Sequence, residues 1–208
     1  MTTLTYYQIY DLLNRPHPLW LVKIDFSGAS LWYADLVDAN LSWANLERAD
    51  LISANLMRAT LRKAELSLAN LFEAQMTEAN LTEANLTRAN LTRANLTKAV
   101  LFNTTLVEAN LSRANLTKSN LMQANLNGAI LTRADLSKAD LSGANLSNAD
   151  LAMANLFEAN LSGANLRSAN LANTDLTATN LTGVDLNGAN MEGTDLTDAI
   201  LPDGARHE

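Results

Sequence analysis

No cysteine occurs in this chain of 208 residues, so neither a disulfide framework nor a thiolate metal site is available to it. Histidine is almost as scarce. His17 and His207 stand near opposite ends, outside any pattern, and neither has a nucleophile or carboxylate pair with it, so no catalytic triad or histidine-pair metal site can be argued. Glycines are scattered singly, which excludes a phosphate-cradling loop, and no calcium-loop pattern occurs. Long apolar runs are missing. The longest patch, around Pro18-Leu19-Trp20-Leu21-Val22, is far too short to cross a bilayer, and the N-terminus lacks both a basic leader and a long apolar core. These absences predict a protein with no catalytic, metal or cofactor site and no membrane span, expected in the cytoplasm. Asn-x-Ser/Thr occurs many times, as at Asn80-Leu81-Thr82, but without a secretory signal these are by-products of a repeat.

That repeat is what the chain does have. Every fifth residue from Phe26 to Leu201 is large and apolar, and the register never slips. All are leucine except Phe26, Met76 and Met191. Two residues before each stands a small residue, nearly always alanine, and the residue between is usually Asn or Asp, as in Ala79-Asn80-Leu81. On an α-helix, leucines five apart would step about 140° each time and form no stripe. On a flat strand they would alternate between faces and waste half their number. The pattern becomes coherent if each pentad forms one side of a coil and then turns a corner. The leucine and the small residue then point inward, and the other three positions point outward.

The outward residues fix the number of sides. Arg93, Arg113 and Arg133 are twenty residues apart, as are Lys98, Lys118 and Lys138, Gly143, Gly163 and Gly183, and Trp32, Ile52 and Phe72. A coil of fifteen would stack the dissimilar Arg93, Glu108, Gln123 and Lys138. Four pentads per coil give about nine coils, and at a strand-like spacing of about 4.8 Å the rod is roughly 40 Å long.

The unit Ala-Asn/Asp-Leu-x-x, as in Ala79-Asn80-Leu81-Thr82-Glu83, resembles the pentapeptide repeat family over nearly nine-tenths of the chain. Known members fold as a right-handed four-sided parallel β-helix, an all-β solenoid. The resemblance implies that fold here and agrees with the period of twenty. It divides the chain into a helical cap over 1–20, the repeat body over 21–203 and a short tail over 204–208.

Departures from the unit carry expectations of their own. Thr104, Ser119, Thr174, Thr179, Val184 and Thr194 replace the small alanine, so their hydroxyls need partners inside. Asn and Asp side chains at the corners are expected to bond backbone groups, help that Val100, Ile130 and Ile200 cannot give. At the N-terminus, residues 3–13 read as a short amphipathic helix with Thr3 or Thr5 as its N-cap, stopping before Pro16. Tyr6, Ile9, Tyr10 and Leu13 would share its apolar face and form a lid on the first coil. No comparable lid follows Leu201. Pro202 ends the ladder and Asp203-Gly204 suits a turn, so the last leucine layer is expected to be partly bare and to permit weak end-to-end association of otherwise monomeric chains.

Charge is unevenly spread. Residues 81–140 carry 7 basic and 4 acidic side chains, residues 141–208 carry 2 and 9, and the chain as a whole is net −7. Such asymmetry bears on partners, not on the fold. Two surface groups are candidate interaction sites. The first is basic: Arg93, Arg113 and Arg133 in one column, Lys98, Lys118 and Lys138 in the next, bordered by Glu73, Glu78 and Glu158. Unit charges about 5 Å apart repel by about 1 kcal/mol in water, a cost that long side chains relieve by splaying. The group reads either as repeat duplication tolerated on a surface or as a docking patch for an acidic protein. Nucleic acid fits poorly, because aromatics are not interleaved with the cations. The second group is apolar: Trp32, Ile52 and Phe72 in one column, Val37 and Met57 in the next, with Tyr33 and Trp43 close by. The leading reading is a rigid scaffold for protein–protein contact with a partner the sequence does not name. The alternative is the DNA mimicry of a type II topoisomerase substrate that some pentapeptide repeat proteins exert on gyrase. The basic middle, the missing C-terminal dimerisation helix and the uninterrupted register all depart from that pattern.

Overall fold

In the computed structural model, residues 5–16 and 18–207 are described. From Trp20 onward every fifth residue, the one just before each inward leucine, pairs in parallel with the residue twenty positions later, from Trp20 with Asn40 to Asn180 with Ile200. The coil therefore has four sides, and the chain is a right-handed quadrilateral β-helix. Fifth-position leucines from Leu31 to Leu181 and the alanines beside them line the axis and are almost wholly shielded from solvent. Each buried leucine stabilises the rod by about 1.5–3 kcal/mol.

The pentad 91–95 shows why five residues close one side. Leu91 N–H donates to Asn110 O of the next coil at 2.7 Å, and Arg93 N–H to Ser112 O at 3.0 Å. Asn95 N–H donates back to Ala74 O at 2.9 Å, and Ala94 N–H closes the turn on Leu91 O at 3.0 Å. Only the Thr92 N–H lacks a backbone acceptor, and the side chain of Asn90 supplies one at 3.2 Å. The Asn/Asp preference is thus the requirement that a fifth donor be satisfied. Asparagine adds a second bond, since its Nδ2 reaches the equivalent oxygen one coil away, as from Asn90 to Asn70 at 3.0 Å. At the corner after Ile200 both halves of the contact vanish together. Isoleucine offers no acceptor, and Pro202 has no N–H to satisfy.

Each turn places its second outward residue in the left-handed region, every fifth residue from Lys23 to Asp198, with φ of 52–74°. A side chain there costs roughly 1–2 kcal/mol, which glycine avoids. Ala178, at φ 55°, has that cost and no long side chain to offset it. Ala178→Gly is expected to raise stability by about 0.5–1 kcal/mol in urea denaturation, despite the freer unfolded chain.

The hydroxyls inside the rod find carbonyl partners. Thr104, Thr174 and Thr179 each donate to a leucine carbonyl of the preceding coil at 2.8 Å, and Ser119 to Leu116 O at 2.6 Å. Among the described residues no buried side-chain polar atom is left unpaired.

At the N-terminal end, α1 (Tyr6–Leu13) lies over the first coil. Thr5 is its N-cap, in a reciprocal capping box with Gln8. Thr3, His17 and the side chain of Tyr6 fall outside the described residues. Ile9 is buried, and Leu12 and Leu13 are partly buried against the core. Tyr10 departs from expectation. It is 61 % exposed, because Leu12, at i+3 from Ile9, takes the inward position instead. At the other end Leu186, Met191 and Leu196 are only partly covered. The tail nevertheless folds back further than a simple stop. Gly204 closes a turn on Leu201, Arg206 pairs antiparallel with Ile200, and His207 N–H donates to Ala199 O at 2.8 Å. One side of the last coil is thereby covered.

A candidate docking face

The period of twenty sorts the outward residues into columns. At most left-handed positions the side chain is exposed, while along most of the rod the residue before it is half-shielded. The six residues of the basic patch all occupy left-handed corners. The bordering glutamates pair with the ends of the columns: Arg93 with Glu73 at 3.1 Å, Lys98 with Glu78 at 3.1 Å, and Lys138 with Glu158 at 3.4 Å. Lys138 also lies 6.0 Å from the centroid of the Phe157 ring. Arg113, Lys118 and Arg133 are left with no carboxylate partner among the described residues; Arg133 Nε donates instead to Met153 Sδ at 3.4 Å. The free part of the basic patch is thus these three residues, on two adjacent corners and two successive coils.

The apolar residues are arranged differently from expectation. Trp32 and Tyr33 are exposed, at 58 % and 74 %, whereas Val37, Ile52, Met57 and Phe72 occupy the half-shielded position. Trp43 is not beside Tyr33. Ten residues is half a coil, so Trp43 stands on the opposite side, where Lys63 covers its ring at 4.7 Å. Linear proximity misleads in a coil of four sides.

A cleft missed at the sequence level opens where α1 meets the first coil. Its volume is about 270 Å³ and it is lined by Ile9, Tyr10, Leu13, Ser30, Leu31 and Trp32. The outward turn of Tyr10 makes one of its walls, and only the helix docking reveals it.

Elsewhere several cations are locally paired, while Lys23 and Arg62 also have no carboxylate partner among the described residues. Arg58 pairs bidentately with Asp38 at 2.7 Å and Arg88 with Glu108 at 2.6 Å; the hydrogen bond and the adjacent negative charge raise both guanidinium pKa values. Three aspartates are held below their ordinary carboxylate range chiefly by the residue two positions on. Asp195 is held so by the N–H and hydroxyl of Thr197, Asp185 chiefly by the N–H of Asn187, and Asp25 by the hydroxyl and N–H of Ser27. These corner contacts recur in the turns and mark structure. No group of three or more His, Asp or Glu side chains among the described residues could hold a metal ion, and no described helix is long and apolar enough to cross a membrane.

The model for pentapeptide repeats, in 8 copies, matches residues 24–62, 64–101, 94–133, 119–163 and 159–198. The chain belongs to the pentapeptide repeat family. Among solved structures, this family member is 38% identical to HetL, a pentapeptide repeat protein involved in heterocyst differentiation regulation from the cyanobacterium Nostoc sp. strain PCC 7120, over 91% of this chain and 90% of that one, with a TM-score of 0.60. It is 36% identical to Rfr23 from the cyanobacterium Cyanothece 51142 over 53% and 58% of the two chains, with a TM-score of 0.23. Trypsin-treated QnrB1, a plasmid-mediated fluoroquinolone resistance protein, is 19% identical over 85% and 87%, with a TM-score of 0.47. No curated protein matches.

Proposed function

We propose that this pentapeptide repeat protein is a non-enzymatic regulator that works by docking an acidic protein on a rigid side of its rod. The observation that carries the reading is the trio Arg113, Lys118 and Arg133. Neighbouring cations of the same columns have glutamate partners, while these three project without any. Three like charges within two coils repel mildly, and a partner's carboxylates would reverse that sign. The likeness to HetL, which is involved in regulating differentiation, supports a regulatory role over a catalytic one. The columns are a poor duplex mimic, since the middle of the rod is basic.

The test is affinity capture from lysate of the source organism, comparing the natural chain with Arg113→Glu/Lys118→Glu/Arg133→Glu. Surface changes at such corners alter stability by no more than about 0.5 kcal/mol, so the fold survives. A protein retained by the natural chain should fall at least about tenfold with the variant, and should elute with modest salt. Equal recovery on both would remove the reading.

A further inference from the structure

The apolar and basic groups, separate in the sequence, share one face. Trp32, Ile52 and Phe72 lie in the column just before the corner column that contains Arg113 and Arg133, all on the same side of the coil. Lys118 stands one corner further on. Walking down that side, the surface passes from an aromatic end, through the self-neutralised pair Glu73–Arg93, to unpaired cations. The cleft lined by Tyr10, Leu13 and Trp32 opens at its aromatic end.

We propose that this composite face binds an amphipathic α-helix laid along the rod axis, with an apolar anchor seated in the cleft and acidic residues over Arg113, Lys118 and Arg133. The proposal rests on the docking reading above and specifies its partner. Three arguments select a helix. First, the backbone donors along this side are already spent on neighbouring coils, as Leu91, Arg93 and Asn95 show, so a strand laid on it would gain no main-chain bonds. A helix satisfies its own backbone. Second, the cations recur about every 4.8 Å, close to the 5.4 Å of a helical turn and far from the roughly 6.6 Å between alternate residues of a strand. Third, Trp32 and Arg133 are five coils apart, roughly 24 Å, which about 16 helical residues span. The cleft has room for one apolar side chain at the end of such a helix, the kind of buried anchor that dominates binding. Charge complementarity then fixes direction, with the acidic end toward the middle of the rod.

The probe is a fluorescently labelled alanine-based peptide of about 20 residues, with Trp and Leu in its first turn and Glu at i, i+3, i+4 and i+7 toward its end. Anisotropy would be read against the natural chain, Trp32→Ser/Phe72→Ser, the triple charge reversal, and a deletion of residues 81–90. That deletion joins Asn80 to Leu91 in register, keeps every residue of both groups, and rotates the basic columns half a coil to the opposite side. Circular dichroism would establish that the shortened rod is folded. Saturable binding to the natural chain is expected, weakened at least about tenfold by each of the three changes and by a proline in the middle of the peptide. If the charge reversal weakens binding while the deletion and the Trp32/Phe72 variant bind as the natural chain does, the composite face is wrong and the basic docking reading stands. If the proline peptide binds equally, the helical occupant is wrong. If the natural chain binds no peptide, the proposal falls, and lysate capture then decides the basic reading by itself.

Discussion

Leu116→Ala is expected to lower the free energy of unfolding by about 3 kcal/mol, and Leu196→Ala by only about 1 kcal/mol. Both residues hold the same place in the pentad, so the difference isolates position along the rod. Leu116 is fully enclosed, with coils above and below. Its truncation leaves a cavity that neighbouring coils, tied to each other by ladder bonds, cannot collapse to fill. Leu196 lies in the last layer and is only partly covered, so its truncation removes less buried area and leaves no closed void. Urea denaturation followed by circular dichroism would read both. A solenoid can unfold from its ends, so the end variant should also show a shallower transition. Equal losses at the two positions would mean that something covers the terminal layer in solution.

The same contrast shows what was legible in the sequence. The inward set was fully readable, because a period of five admits one geometry in which no leucine is wasted. Four sides followed from columns of like residues, since stacking makes identity at twenty-residue spacing visible. The demand for an acceptor at each corner was readable in kind, though the donor it serves, the N–H of the first outward residue, emerged only from the hydrogen-bond geometry. The candidate site was legible in part. Arg113 and Lys118 were found from their columns, and the glutamates that neutralise their neighbours were seen as borders. The misplacement of Trp43 and the inward turn of Leu12 have a common cause. Each depends on angular position about an axis, and adjacency in sequence says little about that. The cleft was invisible because it forms between two elements whose mutual docking no local pattern encodes.

Deleting a whole pentad, residues 96–100, should leave a folded rod, whereas deleting Lys98 alone should cost several kcal/mol. The pentad deletion joins Asn95 to Leu101, so every later leucine still faces inward and every corner still meets a residue of the required class. Its cost is one buried leucine and its alanine, about 2–3 kcal/mol, plus mismatched columns outside. The single deletion does more damage with less loss. It places Ala99 in the left-handed corner, turns Asn and Asp inward, and pushes Leu101 and its successors toward the outward positions. About ten such leucines in water, at about 1.5–3 kcal/mol each, would reach or exceed the 5–15 kcal/mol that ordinarily holds a domain together. The chain has one escape. It can extrude the remaining four residues of the damaged pentad as a loop and resume stacking with Leu101, which reduces the change to a pentad deletion plus loop closure of about 1–2 kcal/mol. Limited proteolysis distinguishes these outcomes. The pentad deletion should resist cleavage throughout, and the single deletion should be cut near residues 96–100 with a lower urea midpoint. If both deletions were equally stable and equally resistant, the five-residue register would not be what holds the coils together.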